Sequence, residues 1–438
     1  MKLVYYLILL FLPFLSVAQN SLLQSGPMLG YAEMKEAVIW VQTTETALVR
    51  CEYWLSNYTK DTLTTNAIVT NPAQAFTVKL LLDQVEPGQK YNYQILINDK
   101  VVQLDYPTTF KTQPIWRWRT DAPDFTMALG SCAYANDPPY DRPGTPYGRG
   151  YEIFNTIYEI QPDAMLWLGD NVYLREADWY SRTGIMYRYT HARSVKEMQP
   201  LLASVNHFAI WDDHDFGPND SDRSYHLKDV TLEAFKLFWP NPSYGVNGQK
   251  GITTFFQYHD IDFFLLDDRY FRSPNKRETG TATIMGEEQL DWLIDALVAS
   301  QAPFKMVAIG GQVLNTAKVA ETYAHHHAEE RAYLLQRIAE ENIKNVIFLT
   351  GDRHHTELSK LVNNNGNTVY DLTVSPLTSG VHTNVEEDNR LRVPDTLVEQ
   401  NNFGLLHFSG PKDARQMTMR IYNIDGLVVW EKTINCEQ

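Results

Sequence analysis

From about Gly26 to Thr112 the apolar residues come in short runs or alternate with polar ones. Ala37-Val38-Ile39-Trp40-Val41-Gln42, Ala75-Phe76-Thr77-Val78-Lys79-Leu80 and Tyr91-Asn92-Tyr93-Gln94-Ile95-Leu96 are three such runs, set apart by turn-formers that include Pro87-Gly88. A period of two marks strands that bury one face, so this stretch predicts a small all-β unit. The segment Gln113-Pro114-Ile115-Trp116-Arg117-Trp118, followed by Pro123, reads as the linker that ends it.

Beyond Phe125 the pattern changes. Largely apolar runs predict buried strands at Phe125–Leu129, Ala164–Leu168, His207–Trp211, Thr253–Tyr258, Ile261–Leu266, Lys305–Ile309 and Asn345–Leu349. Between them, helical spacing fits Tyr151–Ile160, Thr231–Phe238, Gly286–Ala299 and Ala328–Glu341, the last with Leu334, Leu335 and Ile338 on one face. Strands return at Leu405–Phe408, Met417–Tyr422 and Leu427–Glu431, and Asn363-Asn364-Asn365-Gly366-Asn367 is a turn between two strands. Alternation of this kind predicts an α/β or layered α+β domain. The N-terminal unit is predicted to be a β-sandwich of the immunoglobulin or fibronectin kind. The expected divisions are 1–18, 19–118 and 119–438.

Residues 1–18 read as an export signal. Lys2 gives a positive start, Val4–Val17 is almost entirely apolar, and Ser16-Val17-Ala18 supplies small residues for cleavage after Ala18. The competing reading, a membrane anchor, needs about 20 apolar residues, and here Pro13 interrupts a shorter run. The mature chain is therefore expected to be periplasmic or secreted, monomeric and without a membrane span. The formal net charge of −15 excludes a nucleic-acid grip through a basic surface and suits a protein that holds cations. Three cysteines, Cys51, Cys132 and Cys436, leave at least one thiol without an internal partner, with a Cys51–Cys436 disulfide left open.

Four polar clusters each follow an apolar strand: Gly130-Ser131-Cys132, Gly169-Asp170-Asn171-Val172-Tyr173, Asp212-Asp213-His214-Asp215 and Gly351-Asp352-Arg353-His354-His355. Any one of them alone is an ordinary turn. Ligands gather beyond the carboxyl ends of sheet strands, however, and buried carboxylates are costly unless paired or bound to metal. Four strand ends rich in Cys, Asp, Tyr and His therefore predict one shared site.

Taken with Trp211 and Gly310-Gly311-Gln312, these motifs resemble the alkaline phosphatase D (PhoD-like) family of the metallophosphoesterase superfamily, which is related to the purple acid phosphatases. The resemblance covers nearly all of the mature chain. It implies a layered α/β/β/α metallophosphoesterase domain after an N-terminal β-sandwich, and an exported hydrolase of phosphate monoesters or diesters working by a two-metal mechanism on a small-molecule phosphate ester. The implied metal ligands are Cys132, Asp170, Tyr173, Asp213, Asp352 and His354. Anionic sulfur and phenolate favour Fe³⁺ at a first position, with Asp170 bridging; the hard oxygens of Asp213 and Asp352 favour Ca²⁺ at a second, or another divalent ion such as Mg²⁺, Mn²⁺ or Zn²⁺. The purple acid phosphatases carry His at the position of Asp352, and the exchange to Asp shifts preference toward Ca²⁺-like ions.

Catalytic roles fall to His214, beside Asp213, as a phosphoryl contact or proton donor, and to Arg353, as a phosphate partner or as a salt bridge holding its loop. Gln312, Asn315 and Arg269 are candidate substrate-binding residues: Gln312, with Asn315 nearby, offers a carbonyl oxygen to the phosphate or the second metal or else is a loop-stabilising amide, and Arg269 has buried pairing to Asp267 or Asp268 as the alternative. Asp212 and Asp215 are expected to orient ligands. His325-His326-His327 is expected on a surface loop at the rim of the site. The Tyr134–Gly150 loop is expected to wall the pocket, and Trp179, Tyr180, Tyr187 and Tyr189 either pack or stack on a leaving group. A phosphodiesterase or phospholipase-like specificity, a non-catalytic metal-binding surface module and a calcium scaffold without turnover are the rival functions.

Overall fold

A computed structural model describes residues 22–58, 61–319, 322–383 and 385–437. The expected export signal lies outside the described residues. The N-terminal part is two small antiparallel sheets. One joins Leu23–Ala32, Ala37–Thr43 and Thr77–Leu82; the other is built on Leu48–Leu55 and Lys90–Ile97. Ile39, Val41 and Leu80 of the first sheet meet Val49, Tyr53 and Tyr93 of the second in a common apolar core. The alternation seen in the sequence is thus the inward face of a two-sheet sandwich.

The larger part contains two six-stranded sheets. In the first, Asn206–Ile210, Ala164–Leu168 and Phe125–Gly130 run parallel, and Asn402–Ser409, Gln416–Asn423 and Val428–Asn435 continue antiparallel. In the second, Ile261–Leu265, Lys305–Ala308, Val346–Thr350 and Thr368–Thr373 run parallel between the antiparallel edges Thr254–Tyr258 and Glu357–Val362. Alternate residues of the second sheet enter different cores. Phe263, Met306 and Ile347 face the first sheet, while Phe264, Val307 and Phe348 pack on helices Glu287–Ala299 and Ala328–Glu340. Both faces are covered, which is why the central strands Lys305–Ala308 and Val346–Thr350 read as nearly continuous apolar runs. Helix Glu152–Ile160 covers the outer side of the first sheet through Ile153, Phe154 and Ile157.

The two parts share contacts. Met28 and Trp40, on sandwich strands, are fully buried in the large core of the larger part. Gln113, expected in a linker, is buried and donates to both carboxylate oxygens of Glu33 at 3.0 and 2.9 Å while accepting from the backbone of His259 at 2.9 Å. The Cys51–Cys436 pairing that the sequence leaves open is not formed: all three cysteines are free, Cys51 buried inside the sandwich and Cys436 against the Pro303 carbonyl at 3.3 Å. No helix among the described residues is long and apolar enough to cross a membrane.

Candidate metal centre

The predicted clusters converge because parallel strands deliver their carboxyl ends to one edge. The Phe125–Gly130, Ala164–Leu168 and Asn206–Ile210 strands of one sheet and Val346–Thr350 of the other each end at a cluster. Cross-loop bonds lock the ends together. Cys132 N–H donates to Gly169 O at 3.2 Å, Ala133 N–H to Asp170 O at 2.9 Å and Gly351 N–H to Gly310 O at 2.8 Å. A Cβ on Gly351 would lie 2.5 Å from Leu168 O and 2.7 Å from Ser131 Cβ, so only glycine lets these loops meet. Cys132, Asp170, Asp352 and His354 all have left-handed φ, at 58°, 53°, 64° and 55°. Non-glycine residues avoid this region, and such strain gathers at functional sites.

Three overlapping donor groups result: Cys132, Asp170 and His354; Asp170, Asp213 and His214; Asp212, Asp213 and Asp352, the ligand atoms in each lying within 4.8 Å of one another. Tyr173 joins the first. Its hydroxyl is 3.4 Å from His354 Nε2, and its ring lies 4.4 Å from that of His214. The Cys132 thiol sits 3.8 Å from Asp170 Oδ2 and receives a 3.2 Å hydrogen bond from Ser375 Oγ. Burial pushes this thiol up to about 12, with the Asp352 carboxylate adding to the effect. Asp170 is driven well above the carboxylate range by burial and then by Asp213 and Cys132, and the Tyr173 phenol rises by burial beside Asp170. His354 is lowered to about 4, chiefly by burial. Crowded anionic donors of this kind call for a positive charge among them. Asp213 Oδ1 and Asp212 Oδ2 are buried with no hydrogen-bond partner, which fits oxygens reserved for cations. Sulfur, phenol, imidazole and carboxylate on one side, and carboxylates alone on the other, fit two cations of different hardness.

Supporting residues orient this set. Asp215 Oδ1 accepts from Asn171 N and Val172 N at 3.1 and 3.0 Å, and its Oδ2 accepts from Asp212 N at 3.0 Å. The short Asp arm thus ties the Asp170 loop to the Asp213 loop while capping the Asp213–Phe216 turn of helix. His214 is partly exposed, and its N–H donates to Asp170 Oδ1 at 3.2 Å. Arg353 is buried and pairs with Glu387, the loop-holding arrangement, and His355 Nδ1 bonds to Arg353 O at 3.0 Å.

The structure places Gln312, Asn315 and Arg269, the candidate substrate-binding residues, in buried networks of protein partners. All three are at most 1% exposed. Gln312 Nε2 donates to Glu357 Oε1 and Thr373 Oγ1, both at 2.8 Å, and Asn315 Nδ2 to Gln312 Oε1 at 2.8 Å. Arg269 pairs with Asp212, with Asp213 at 3.8 Å and Asp268 at 3.9 Å, so its charge offsets the acidic cluster from below. His327 is buried 3.2 Å from Ser273 Oγ rather than on a rim loop. Tyr189 is buried packing, its hydroxyl bonded to Asp215 O at 3.0 Å, whereas Tyr180 is 72% exposed and stacks on His226. Residues that sequence reasoning missed are Tyr147, Gly380 and His382 around the His354 imidazole, and Ser375, whose hydroxyl accepts from the His354 backbone N–H at 3.0 Å. None follows a strand end in a recognisable motif.

This fold and site define a metallophosphoesterase-like protein. The solved structure of PhoD aligns over 95% of this chain and 92% of its own, with a TM-score of 0.75 and 16% identity. The purple acid phosphatase PPD1 from yellow lupin seeds aligns over 94% and 74%, with a TM-score of 0.65 and 12% identity. In sequence, alkaline phosphatase D of Bacillus subtilis (strain 168) is 23% identical over 345 residues, 67% of this chain and 56% of that protein. The family model for PhoD-like phosphatase matches residues 127–416, and a domain of unknown function (DUF7800) matches 20–115. The chain belongs to the PhoD-like phosphatase family.

Proposed function

We propose that the protein is a phosphoric ester hydrolase that cleaves small phosphate monoesters or diesters with two cations. Cys132, Asp170, Tyr173 and His354 would hold the first, Fe³⁺, and Asp170, Asp213 and Asp352 the second, Ca²⁺ or another divalent ion. Together the cations would polarise the phosphoryl group and acidify the attacking water near neutral pH. The observation that best supports this reading is that Asp170 belongs both to the donor group with Cys132 and His354 and to the one with Asp213, as a residue between two neighbouring cations must.

The chain's own residues then take distinct parts. His214, partly exposed and backed by the Tyr173 ring, donates a proton to the leaving oxygen. Asp215 keeps the Asp170 and Asp213 loops in register, and Arg269 balances the buried carboxylates. Tyr134, packed on Tyr173 at 4.9 Å, keeps water from the Cys132 side. Residues 1–18 direct export, 19–118 form a sandwich of the immunoglobulin or fibronectin kind, and 119–438 form the catalytic domain of a monomer.

Elemental analysis of purified protein, with hydrolysis of chromogenic mono- and diesters, tests the proposal. Iron and calcium should be found, and Cys132→Ala and Asp170→Asn should each lower both iron content and hydrolysis. The activity loss should exceed about a hundredfold, since even outer-shell partners of metal sites reach that value. Metal-free protein that hydrolyses neither ester, or a double variant with wild-type turnover, would sink it.

A further inference from the structure

The Tyr134–Gly150 loop reaches the donor cluster through a side chain with no motif to mark it. Tyr147 is 43% exposed, yet its hydroxyl lies 3.1 Å from His354 Nδ1, the ring nitrogen opposite the one facing Tyr173. The same Nδ1 is 2.5 Å from the Gly380 carbonyl and 3.3 Å from Ser379 Oγ. A carbonyl oxygen can only accept. The proton therefore sits on Nδ1, and Nε2 turns its lone pair toward Tyr173 and the cluster.

The contact is built into the backbone on both sides. A Cβ on Gly380 would fall 2.7 Å from Tyr147 Cε2, and one on Gly148 would fall 2.4 Å from Tyr134 O. Arg149 N–H donates to Thr378 O at 2.8 Å, and Thr378 Oγ1 to Tyr134 O at 3.0 Å, stitching the loop to the 378–380 segment. The Tyr147 ring meets Tyr134 edge-on at 4.9 Å, and the His382 ring stacks on His354 at 4.8 Å. Such close packing is more than a half-exposed tyrosine needs for its own burial.

We propose that Tyr147 is a positioning residue that fixes the tautomer and orientation of His354, so that this loop sets how long the centre keeps its cation. The inference rests on the metal-centre reading given under Proposed function. The hydroxyl shares the Nδ1–H with the Gly380 carbonyl, and the ring shields that bond from water, strengthening it.

The test measures iron loss from full-length wild type, Tyr147→Phe and Tyr147→Ala during dialysis against EDTA, with melting temperatures of the metal-free proteins alongside. Tyr147→Ala should lose iron about 10–100-fold faster, the range for outer-shell partners of ligating histidines, and Tyr147→Phe should fall between it and wild type. The metal-free proteins should melt together. Equal rates in all three proteins would overturn the inference alone. So would a metal-free Tyr147→Ala that already melts well below metal-free wild type, since the contact would then serve only the fold. A wild type that retains no iron would overturn this inference and the metal-centre reading together.

Discussion

Arg269 shows how one residue keeps an acidic site foldable. Its guanidinium is fully buried against Asp212, Asp213 and Asp268, carboxylates that come from loops on both sheets. Even with this partner, burial drives Asp212 well above the usual carboxylate range. Removing the cation should therefore leave an uncompensated buried charge, which costs about 3–5 kcal/mol. Urea unfolding at neutral pH should show a clearly lower midpoint for Arg269→Met, partly restored when Asp212→Asn is added, because the two sites share one ion pair. An unchanged midpoint would remove Arg269 from this role. At this scale the sequence was informative wherever a residue of the donor cluster follows an apolar strand, as Cys132, Asp170, Asp213, Asp352 and His354 do. It was uninformative about partners. The alternative expected for Arg269, pairing with its neighbours Asp267 or Asp268, is met by Asp268 at 3.9 Å, but its main partner lies 57 residues away. Gln312 and Asn315 likewise turn to Glu357, more than 40 residues downstream. Chain distance carries no trace of contacts made between loops.

Among elements, the parallel strands were legible because burial on both faces leaves an apolar run, while helix Arg182–Arg193 was not. Its buried face includes Arg188, paired with Asp137 and Asp178, and Arg193, laid over the Trp239 ring at 3.9 Å. Charged residues on the inward side erase the apolar period that would mark the helix. His207 is another polar residue in the core. Trp167 Nε1–H donates to its Nδ1 at 3.0 Å, and its Nε2 donates to Leu201 O at 3.1 Å, tying two strands to the helix between them in the chain. Burial lowers this imidazole to about 3, below its ordinary 6.5. Between those values the unfolded chain binds a proton that the folded chain refuses, so stability is full above 6.5 and falls with pH down to about 3. The slope is about 1.4 kcal/mol per pH unit, so about 2 kcal/mol should be lost by pH 5. Unfolding midpoints of wild type and His207→Gln across pH 7 to 4 should converge as the pH drops. Parallel curves would show that His207 does not contribute to the acid limb.

At the scale of the whole molecule, Trp40 decides whether the sandwich is a passenger or a wall of the catalytic core. It stands on the sandwich strand Ala37–Thr43, but its indole is fully buried among residues of the larger part. Its ring packs on Phe238 at 5.6 Å, its Nε1–H donates to Leu237 O at 2.8 Å, and the Arg193 guanidinium lies 5.7 Å from its centroid. Nearby, Tyr93 of the second sandwich sheet donates to Ala203 O at 2.6 Å, and Lys79 to Tyr244 at 2.7 Å. Helices Lys228–Phe238 and Gln199–Ser204 thus have one side covered by the sandwich. Truncating Trp40 to Ala removes a large buried ring and the hydrogen bond to Leu237 O, a loss of about 3–5 kcal/mol. Because both parts draw on this contact, wild type should unfold in one thermal transition. Trp40→Ala should lower the midpoint and separate it into two, whereas Val49→Ala, inside the sandwich alone, should lower the midpoint without dividing it. A fragment beginning at residue 119 should then be poorly soluble, since Leu237 and Phe238 would lose their cover. A soluble fragment that melts at the wild-type temperature would show instead that the catalytic layers stand without the sandwich, and Trp40 would be an interface residue of no consequence to them.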